Sequence, residues 1–294
     1  MTRPSVIGHN APMSTHQWSW ELLRAGALRL DGGSMFGIIP RTFWSTWTES
    51  DEKNRIPLQA NCLLLDDGDG KVLVETGCGS KWSDKERSIY ALEDRTVVDA
   101  LAEIGVEPGE ISTVIVTHLH FDHAGGLTTL NEAGEPTSVF SSARIVVQKQ
   151  EWEDALANRS TMSRTYLRSH LDPIREQVDL VDGSSEVLPG IRVEPLPGHT
   201  WGMQGVFIQD DQGIVVFPGD LMPTVAHVHP SASMAYDMLP YTSMESKASF
   251  LARAADEGWQ LVLDHEPGNP CVGVDRSEKG HFSLRPISVR KCDD

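Results

Sequence analysis

Three histidines and an aspartate lie within six consecutive positions, in the stretch THLHFDH that follows the apolar run STVIV. In an extended segment, side chains two positions apart share a face, so His118 and His120 can reach the same ion. Asp122 and His123 follow where the chain turns, and they can reach a second ion beside the first. Neutral imidazole and carboxylate groups are good ligands for Zn²⁺ and other first-row metals. The stretch therefore predicts a metal site.

Three further candidate ligands stand at the ends of apolar strands elsewhere in the chain. They are His199 in PLPGHTWG, Asp220 in VVFPGDLMP and His265 in LVLDHEPG. A single histidine at a strand end is more often a surface or core residue than a ligand. Here each residue ends an apolar strand as the first motif does, and this shared context assigns all three to the same site. The chain then has enough imidazole and carboxylate groups for two metal ions.

The segments around these residues predict a mixture of strands and helices. Strands are predicted at NCLLLDDGDGKVLVETG, where a turn at Asp67–Gly70 joins two of them, and at STVIVT, ARIVVQKQ, IRVEPLPG, GVFIQDDQGIVVFPGD and WQLVLDH. Helices are predicted at DRTVVDALAEIG, with Asp94 as cap and Gly105 as stop, and at EWEDALAN and SMESKASFLARAADEG. Gly125 and Gly126 let the chain turn tightly after the first motif. This order indicates the α+β class, with sheets covered by helices.

The composition limits the possible functions. The chain has 294 residues, of which 39% are hydrophobic and 23% charged, as is usual for a soluble globular protein. Its net charge of −17 opposes binding to nucleic acid and to anionic lipid, because both are polyanions. The sequence contains no run of about 18 apolar residues, so it predicts no membrane span. The N-terminus does not resemble a signal peptide, and we therefore expect a cytoplasmic protein. We expect one domain over residues 1–294, with residues 1–17 peripheral and the ligand-bearing core at about 60–270.

The order H-x-H-x-D-H, His, Asp, His resembles that of the metallo-β-lactamase superfamily of metallohydrolases, from about residue 62 to residue 265. The resemblance implies an αββα sandwich of two mixed β-sheets flanked by helices, with the metals at one edge between the sheets. It also implies three ligands for each metal and one carboxylate that bridges both. The first metal is held by His118, His120 and His199, the second by Asp122, His123 and His265, and the bridge is Asp220.

A site of this kind implies hydrolysis by a hydroxide that bridges two divalent ions. Two such ions lower the pKa of a shared water towards neutrality. Asp122 can ligate with one oxygen and pass a proton with the other. We expect Zn²⁺, although the ligand types also accept Mn, Fe and Co. A mononuclear iron dioxygenase is the alternative from another reaction class, because such enzymes share much of the ligand set.

The resemblance also implies a class of substrate. HLHFDH with the following His199 most resembles the N-acyl homoserine lactonase branch, to which the methyl parathion hydrolase branch is a near relative. The segment GDLMPTVAHVHPSASMAYDMLPYTSMESK resembles that of quorum-quenching lactonases. Lactone opening is therefore the leading interpretation, and hydrolysis of organophosphates, aryl esters or thioesters at the same site is the alternative. The expected partner is a small ester or lactone, and a homodimer is compatible with the resemblance.

Two positions depart from the pattern of these relatives. Pro223 stands three positions after Asp220, where many homoserine lactonases carry a tyrosine that helps to hold the substrate carbonyl. Tyr236 and His227 in the same loop are the candidates to replace it as catalytic residues. Glu75 stands where relatives often have Asp before Thr-Gly, and we expect it to alter the surroundings of the metals.

A cluster of aromatic residues precedes the first strands. Phe43, Trp44 and Trp47 lie in the connection SMFGIIPRTFWSTWTESDEKNRIPLQAN. Large aromatic side chains are common in ligand pockets, so these three predict the lip of a substrate pocket for an acyl chain or an aryl group. The alternative is a hydrophobic plug that anchors the connection, or a dimer contact.

Overall fold

The computed structural model of the protein describes residues 13–288. Residues 1–12, which belong to the segment that we predicted to be peripheral, lie outside this range. The strands are β1 (Ser19–Asp31), β2 (Arg55–Asp66), β3 (Lys71–Val74), β4 (Ile111–Ile115), β5 (Thr128–Leu130), β6 (Pro136–Ser138), β7 (Arg144–Gln148), β8 (Val178–Val181), β9 (Ser185–Leu188), β10 (Ile191–Pro195), β11 (Gln204–Gln209), β12 (Ile214–Phe217), β13 (Gln260–Val262), β14 (Cys271–Arg276) and β15 (Phe282–Pro286). The α-helices are α1 (Gly32–Phe36), α2 (Arg41–Trp44), α3 (Asp84–Tyr90), α4 (Val97–Glu103), α5 (Phe121–Ala124), α6 (Lys149–Leu156), α7 (Arg168–Leu171) and α8 (Pro240–Glu257).

Two mixed sheets organise the described part of the chain. The first has the strand order β1-β2-β3-β4-β7-β8, and the second has the order β15-β14-β13-β12-β11-β10-β9. β3, β4, β7 and β8 run parallel to one another, as do β12 and β13, whereas the other neighbours within these two sheets are antiparallel. The turn predicted at Asp67–Gly70 joins β2 to β3, and β11 and β12 form the predicted hairpin.

The sheets pack face to face between two layers of helices. Apolar side chains such as Leu63 in β2 and Phe217 in β12 share the core between the sheets. Leu101 in α4 belongs to the core on the outer face of the first sheet, and Phe250 in α8 to the core on the outer face of the second. Each such side chain stabilises the fold by about 1.5–3 kcal/mol when it is fully buried. This helix–sheet–sheet–helix arrangement is the predicted αββα sandwich.

The N-terminal cap of α4 differs from the prediction. Thr96, not Asp94, is the cap, because the carboxylate of Asp99 accepts hydrogen bonds from the Thr96 amide at 2.7 Å and the Thr96 hydroxyl at 2.8 Å. Asp94 lies outside the helix, where its exposed carboxylate pairs with Arg87 at 3.2 Å. An acidic residue at the third helical position is a typical partner for a threonine cap.

The strand ends that carry the candidate ligands meet at one edge of the sandwich. The first motif follows β4 of the first sheet, and the other three candidates follow β10, β12 and β13 of the second. Within residues 13–288, no helix is long and apolar enough to cross a membrane.

Candidate metal centre

The structure brings all seven candidate ligands together in a buried cluster. His118 and His120 lie in the loop after β4, and helix α5 then carries Asp122 and His123. A short 3-10 turn after β12 carries Asp220. All seven residues are buried, with exposed fractions of 0% for His118, 4% for His120, 7% for Asp122, 1% for His123, 1% for His199, 7% for Asp220 and 2% for His265.

The first group of ligand atoms consists of three imidazoles and one carboxylate. His199 Nε2 lies 2.9 Å from His120 Nδ1 and 3.0 Å from Asp220 Oδ2. His118 Nε2 lies 3.8 Å from the same carboxylate oxygen. Ligand atoms of all four residues lie within 4.8 Å of one another. Three histidines with one carboxylate are a common set of ligands for Zn²⁺ and related ions.

The second group lies on the other side of Asp220. His265 Nε2 is 3.1 Å from His123 Nε2 and 3.3 Å from Asp220 Oδ1. Asp122 faces this group, with Oδ2 3.6 Å from His265 Nε2 and Oδ1 3.9 Å from His123 Nε2. Asp264 also belongs here, since its carboxylate and ligand atoms of His123, Asp220 and His265 lie within 4.8 Å of one another. The sequence analysis missed Asp264, because a single Asp next to a candidate His has no distinctive spacing.

The buried polar atoms of the cluster fit a pair of cations. Asp220 belongs to both groups, and its two oxygens face different histidines. Within the two groups of ligands, the atoms that are buried without a hydrogen-bond partner are His118 Nε2, His120 Nε2, Asp220 Oδ1 and Asp264 Oδ2. A buried polar atom without a partner costs about 1–3 kcal/mol. Cations held between the two groups would satisfy these atoms, with Asp220 in the bridging position.

The charge state of two histidines in the first group also suits metal binding. Burial, together with the neighbouring histidines, lowers the pKa of His118 and of His120 well below the usual value. Both rings are therefore neutral at pH 7, which is the form in which imidazole binds metals. His199 differs, because the carboxylates of Asp220 and Asp237 outweigh its burial and raise its pKa to about 10.

Polar groups next to the two groups of ligands orient the histidine rings. Asp237 Oδ1 lies 2.9 Å from His199 Nδ1, and the carbonyl of Gln59 lies 3.0 Å from His265 Nδ1. Glu75 Oε2 lies 3.4 Å from His123 Nδ1, close enough for an ion pair but not a hydrogen bond, and Glu75 Oε1 accepts a hydrogen bond from the Thr117 amide at 2.6 Å. Partners of this kind fix the ring orientation of metal-binding histidines. Glu75 thus lies where the sequence analysis expected it, and Asp237 is an addition that sequence reasoning missed.

Another buried acid, Glu151, supports the loop that carries the first motif. Glu151 in α6 is fully buried and accepts hydrogen bonds from the Leu119 amide at 3.0 Å, the Tyr166 hydroxyl at 3.0 Å and the Thr200 hydroxyl at 2.6 Å. These contacts tie α6 to the loop of His118 and His120 and to the residue after His199. Sequence reasoning missed this role, because Glu151 resembles an ordinary solvated position at the start of a helix.

A cavity of about 250 Å³ opens onto the cluster. Five of the seven candidate ligands form its floor, namely His120, Asp122, His199, Asp220 and His265. Its walls are largely apolar or aromatic, with one cationic side chain and three that carry a hydroxyl. They consist of Leu30, Met35, Tyr90, Phe121, Met162, Arg164, Thr165, Met234 and Tyr236. An apolar cavity over a few polar groups is typical of a small-molecule site.

The structure separates the two residues that we predicted to replace the lactonase tyrosine. Tyr236 lines the cavity, whereas His227 does not. Both ring nitrogens of His227 already have partners, with Nδ1 2.8 Å from the Thr224 hydroxyl and Nε2 2.9 Å from the Met35 carbonyl. The prediction that His227 contacts substrate does not agree with this placement, which favours a positioning role. Pro223 is buried, and its carbonyl accepts a hydrogen bond from the His265 amide at 3.0 Å.

The three aromatic residues predicted at the pocket lip lie outside the cavity lining. Trp44 is 1% exposed and stacks on Phe36 with ring centroids 5.5 Å apart. Phe43 and Trp47 are exposed at the surface, at 62% and 46%. The placement of Trp44 matches the alternative, a plug that anchors the connection. The Trp44 ring can be buried here because Gly32 has no side chain. A Cβ at position 32 would lie 2.6 Å from Trp44 Cη2.

Comparison with known proteins agrees with this geometry. Residues 55–265 match the family model of the metallo-beta-lactamase superfamily. An N-acyl homoserine lactonase of Bacillus thuringiensis is 31% identical over 162 residues, which cover 51% of this chain and 58% of the relative, so the match spans less than two thirds of that enzyme. The solved structure of a probable metal-dependent hydrolase from Staphylococcus aureus has a TM-score of 0.83 at 28% identity and covers 95% of this chain and 100% of its own. An N-acyl homoserine lactone hydrolase with the product N-hexanoyl-L-homoserine at its catalytic metal centre has a TM-score of 0.66 at 25% identity, covering 84% and 93%.

Proposed function

The chain belongs to the metallo-beta-lactamase superfamily, and we propose that it is a metal-dependent hydrolase that opens the ring of N-acyl homoserine lactones. The observation that carries this proposal is the position of Asp220, shared by two groups of ligand atoms at the floor of a largely apolar cavity. The cavity supplies a surface for an acyl chain, and its floor supplies the polar groups for the ester. The names of the relatives support the same substrate class.

Two divalent ions, with Zn²⁺ as the expected metal, would be held by the seven candidate ligands. The first ion would be held by His118, His120 and His199, and the second by Asp122, His123 and His265. Asp220 belongs to both groups, and Asp264 is a further carboxylate beside the second. Such ions act as Lewis acids that lower the pKa of bound water and polarise a carbonyl oxygen.

The residues that line the cavity have separate roles in ring opening. The carboxylate of Asp122 lies at the floor, where it can take a proton and return it to the ring oxygen as the ester bond breaks. Burial raises the pKa of Tyr236 to about 12, so the phenol stays protonated and can donate a hydrogen bond to the substrate carbonyl. Apolar side chains such as Met35 and Phe121 exclude water from the rest of the substrate.

The test is ring opening of N-hexanoyl homoserine lactone, followed as acid release, with metal content measured in the same samples. We expect two metal ions per chain, loss of activity after removal by EDTA, and recovery when Zn²⁺ is restored. The variant Asp220→Asn should lose both metal and activity, whereas the exposed-residue control Glu153→Gln should lose neither. A metal-loaded protein that releases no acid from any lactone would overturn the proposal.

A specific feature favours aryl esters or phosphotriesters as the second candidate. Three aromatic rings, Tyr90, Phe121 and Tyr236, line the cavity and offer faces on which an aryl leaving group can stack. Metal-dependent hydrolysis of 4-nitrophenyl acetate or paraoxon, without lactone opening, would support this candidate instead. One iron per chain with no hydrolysis of any of these substrates would support the dioxygenase interpretation.

A further inference from the structure

An ion pair at the mouth of the cavity joins two segments that are far apart in sequence. Arg164 Nη2 contacts Glu86 Oε1, and the two residues are 78 positions apart. Glu86 lies in the first turn of α3, and Arg164 lies in the irregular segment 157–167 between α6 and α7. Both segments also line the cavity, α3 through Tyr90 and segment 157–167 through Met162, Arg164 and Thr165. We define Arg164 and Glu86 as the mouth pair.

One partner of the mouth pair is held by further hydrogen bonds, and the other is largely exposed to solvent. Glu86 is the carboxylate of a helix capping box, in which Oε2 accepts hydrogen bonds from the Ser83 amide at 3.0 Å and the Ser83 hydroxyl at 2.6 Å. Its other oxygen meets Arg164, and the Glu86 side chain is only 17% exposed. The Arg164 side chain is 72% exposed, so water can replace its contact at low cost. The pair can therefore break without disturbing α3.

The cavity is small, so the position of its walls limits the length of the substrate that it can hold. Ligand sites usually enclose about 300–1,000 Å³, whereas this cavity encloses about 250 Å³. A short acyl group fits in this volume, whereas a long one must extend beyond it. We propose that the mouth pair sets the acyl-chain length that the cavity accepts, by holding these two walls together. This inference rests on the proposed function, since it assigns the specificity of the same site.

The expected effect is modest and has a definite sign. Exposed ion pairs shift an equilibrium constant by about two- to fivefold. Breaking the pair should therefore raise kcat/KM for long-chain substrates about two- to fivefold relative to short-chain substrates. High salt should raise the same ratio in the wild-type protein, because it screens exposed charges.

The experiment compares kcat/KM for N-dodecanoyl and N-butanoyl homoserine lactone in matched variants. Arg164→Ala and Glu86→Gln should both raise the long-to-short ratio, and the double variant should raise it no further. Gln still accepts from Ser83, so Glu86→Gln keeps the helix cap. Arg164→Lys should keep the wild-type ratio. Arg168→Ala is the control, because Arg168 pairs with Asp172 at 2.6 Å, is similarly exposed and does not line the cavity.

Two further measurements separate this inference from the proposed function. The same ratio is measured with 4-nitrophenyl dodecanoate and butanoate, and by calorimetric binding of N-dodecanoyl- and N-butanoyl-homoserine, which needs no turnover. A raised ratio in these assays without lactone opening would support the mouth pair and refute the proposed substrate. The inference would be overturned if the long-to-short ratio is unchanged or lower in Arg164→Ala, or if it rises equally in Arg168→Ala. The absence of binding of either ligand would also overturn it.

Discussion

Replacement of His227 by glutamine tests whether this residue positions the active-site loop or takes part in catalysis. A carbonyl oxygen can only accept, so His227 Nε2 donates to the Met35 carbonyl at 2.9 Å, and Nδ1 accepts from the Thr224 hydroxyl at 2.8 Å. The ring also stacks on Phe36, with centroids 4.8 Å apart and planes at 9°. Burial and the nearby charge of Lys247 lower the pKa of His227 from 6.5 to about 4. The native structure thus holds a neutral imidazole.

The lowered pKa has a calculable effect on stability. The unfolded chain binds a proton at His227 below pH 6.5, whereas the native protein binds it only below about pH 4. The contribution of the neutral ring is therefore fully present above pH 6.5 and is lost as the pH falls towards 4. At pH 5 the difference is roughly 1.5 pKa units, which corresponds to about 2 kcal/mol. That amount is a large part of the 5–15 kcal/mol by which proteins of this kind are stable.

The assay is urea unfolding of the wild-type protein and of His227→Gln at pH 7 and pH 5, both in the metal-free form. We expect the loss of unfolding free energy between these two pH values to be about 2 kcal/mol smaller in the variant. The other buried histidines contribute equally to both proteins, so their effects cancel. The same pH-dependent loss in both proteins would refute the reasoning.

Activity gives an independent measurement on the same variant. A general acid or base contributes about 10²–10⁴-fold to a rate, but His227 has no ring nitrogen available to a substrate. We expect kcat to fall by less than about tenfold at pH 8, with unchanged metal content. A loss of a hundredfold or more at unchanged metal content would restore the catalytic role that the sequence suggested.

Two further predictions concern the buried acids that the sequence analysis missed. Asp237→Asn should weaken metal binding by about 10–100-fold, because it removes the carboxylate that orients His199; competition with a chelator measures this, and an unchanged dissociation constant would contradict it. Glu151→Gln should lower the free energy of unfolding by about 1–3 kcal/mol, because an amide cannot accept all three hydrogen bonds that Glu151 accepts. Urea unfolding beside the exposed control Glu153→Gln tests this, and equal stability of the two variants would rule it out.

The seven candidate ligands could be identified from the sequence because their signal is local. Each lies directly after an apolar strand, and four of them fall within His118–His123. Asp237 and Glu151 have no such signal, since each acts on residues that only the fold brings near. Asp264 does follow the apolar strand β13, but a single Asp beside a candidate His has no distinctive spacing. The same limit applies to Trp44. An aromatic residue in a connection looks the same in sequence whether it lines a pocket or fills a gap beside a glycine.

The two glycines after the first motif are needed at their positions, but for a reason other than the predicted one. We predicted that Gly125 and Gly126 allow a tight turn, yet Gly125 has φ −62° and ψ −37°, which any residue adopts. Their lack of a side chain matters for another reason: a Cβ on Gly125 would lie 2.1 Å from the Cys78 carbonyl oxygen, and one on Gly126 would lie 2.1 Å from that of Thr76. The glycines thus let the loop after β3 press against the loop of the ligands.

This close approach has a direct consequence for the metal centre. It allows Glu75 to reach His123, and Glu75 itself adopts φ 67°, a left-handed conformation that costs about 1–3 kcal/mol for a residue other than glycine. The hydrogen bond from the Thr117 amide to its carboxylate holds it there. Two neighbouring loops therefore place the second group of ligands: one contains the glycine pair Gly125–Gly126, and the other contains the strained Glu75. A side chain at Gly125 would separate Glu75 from His123 without touching any ligand.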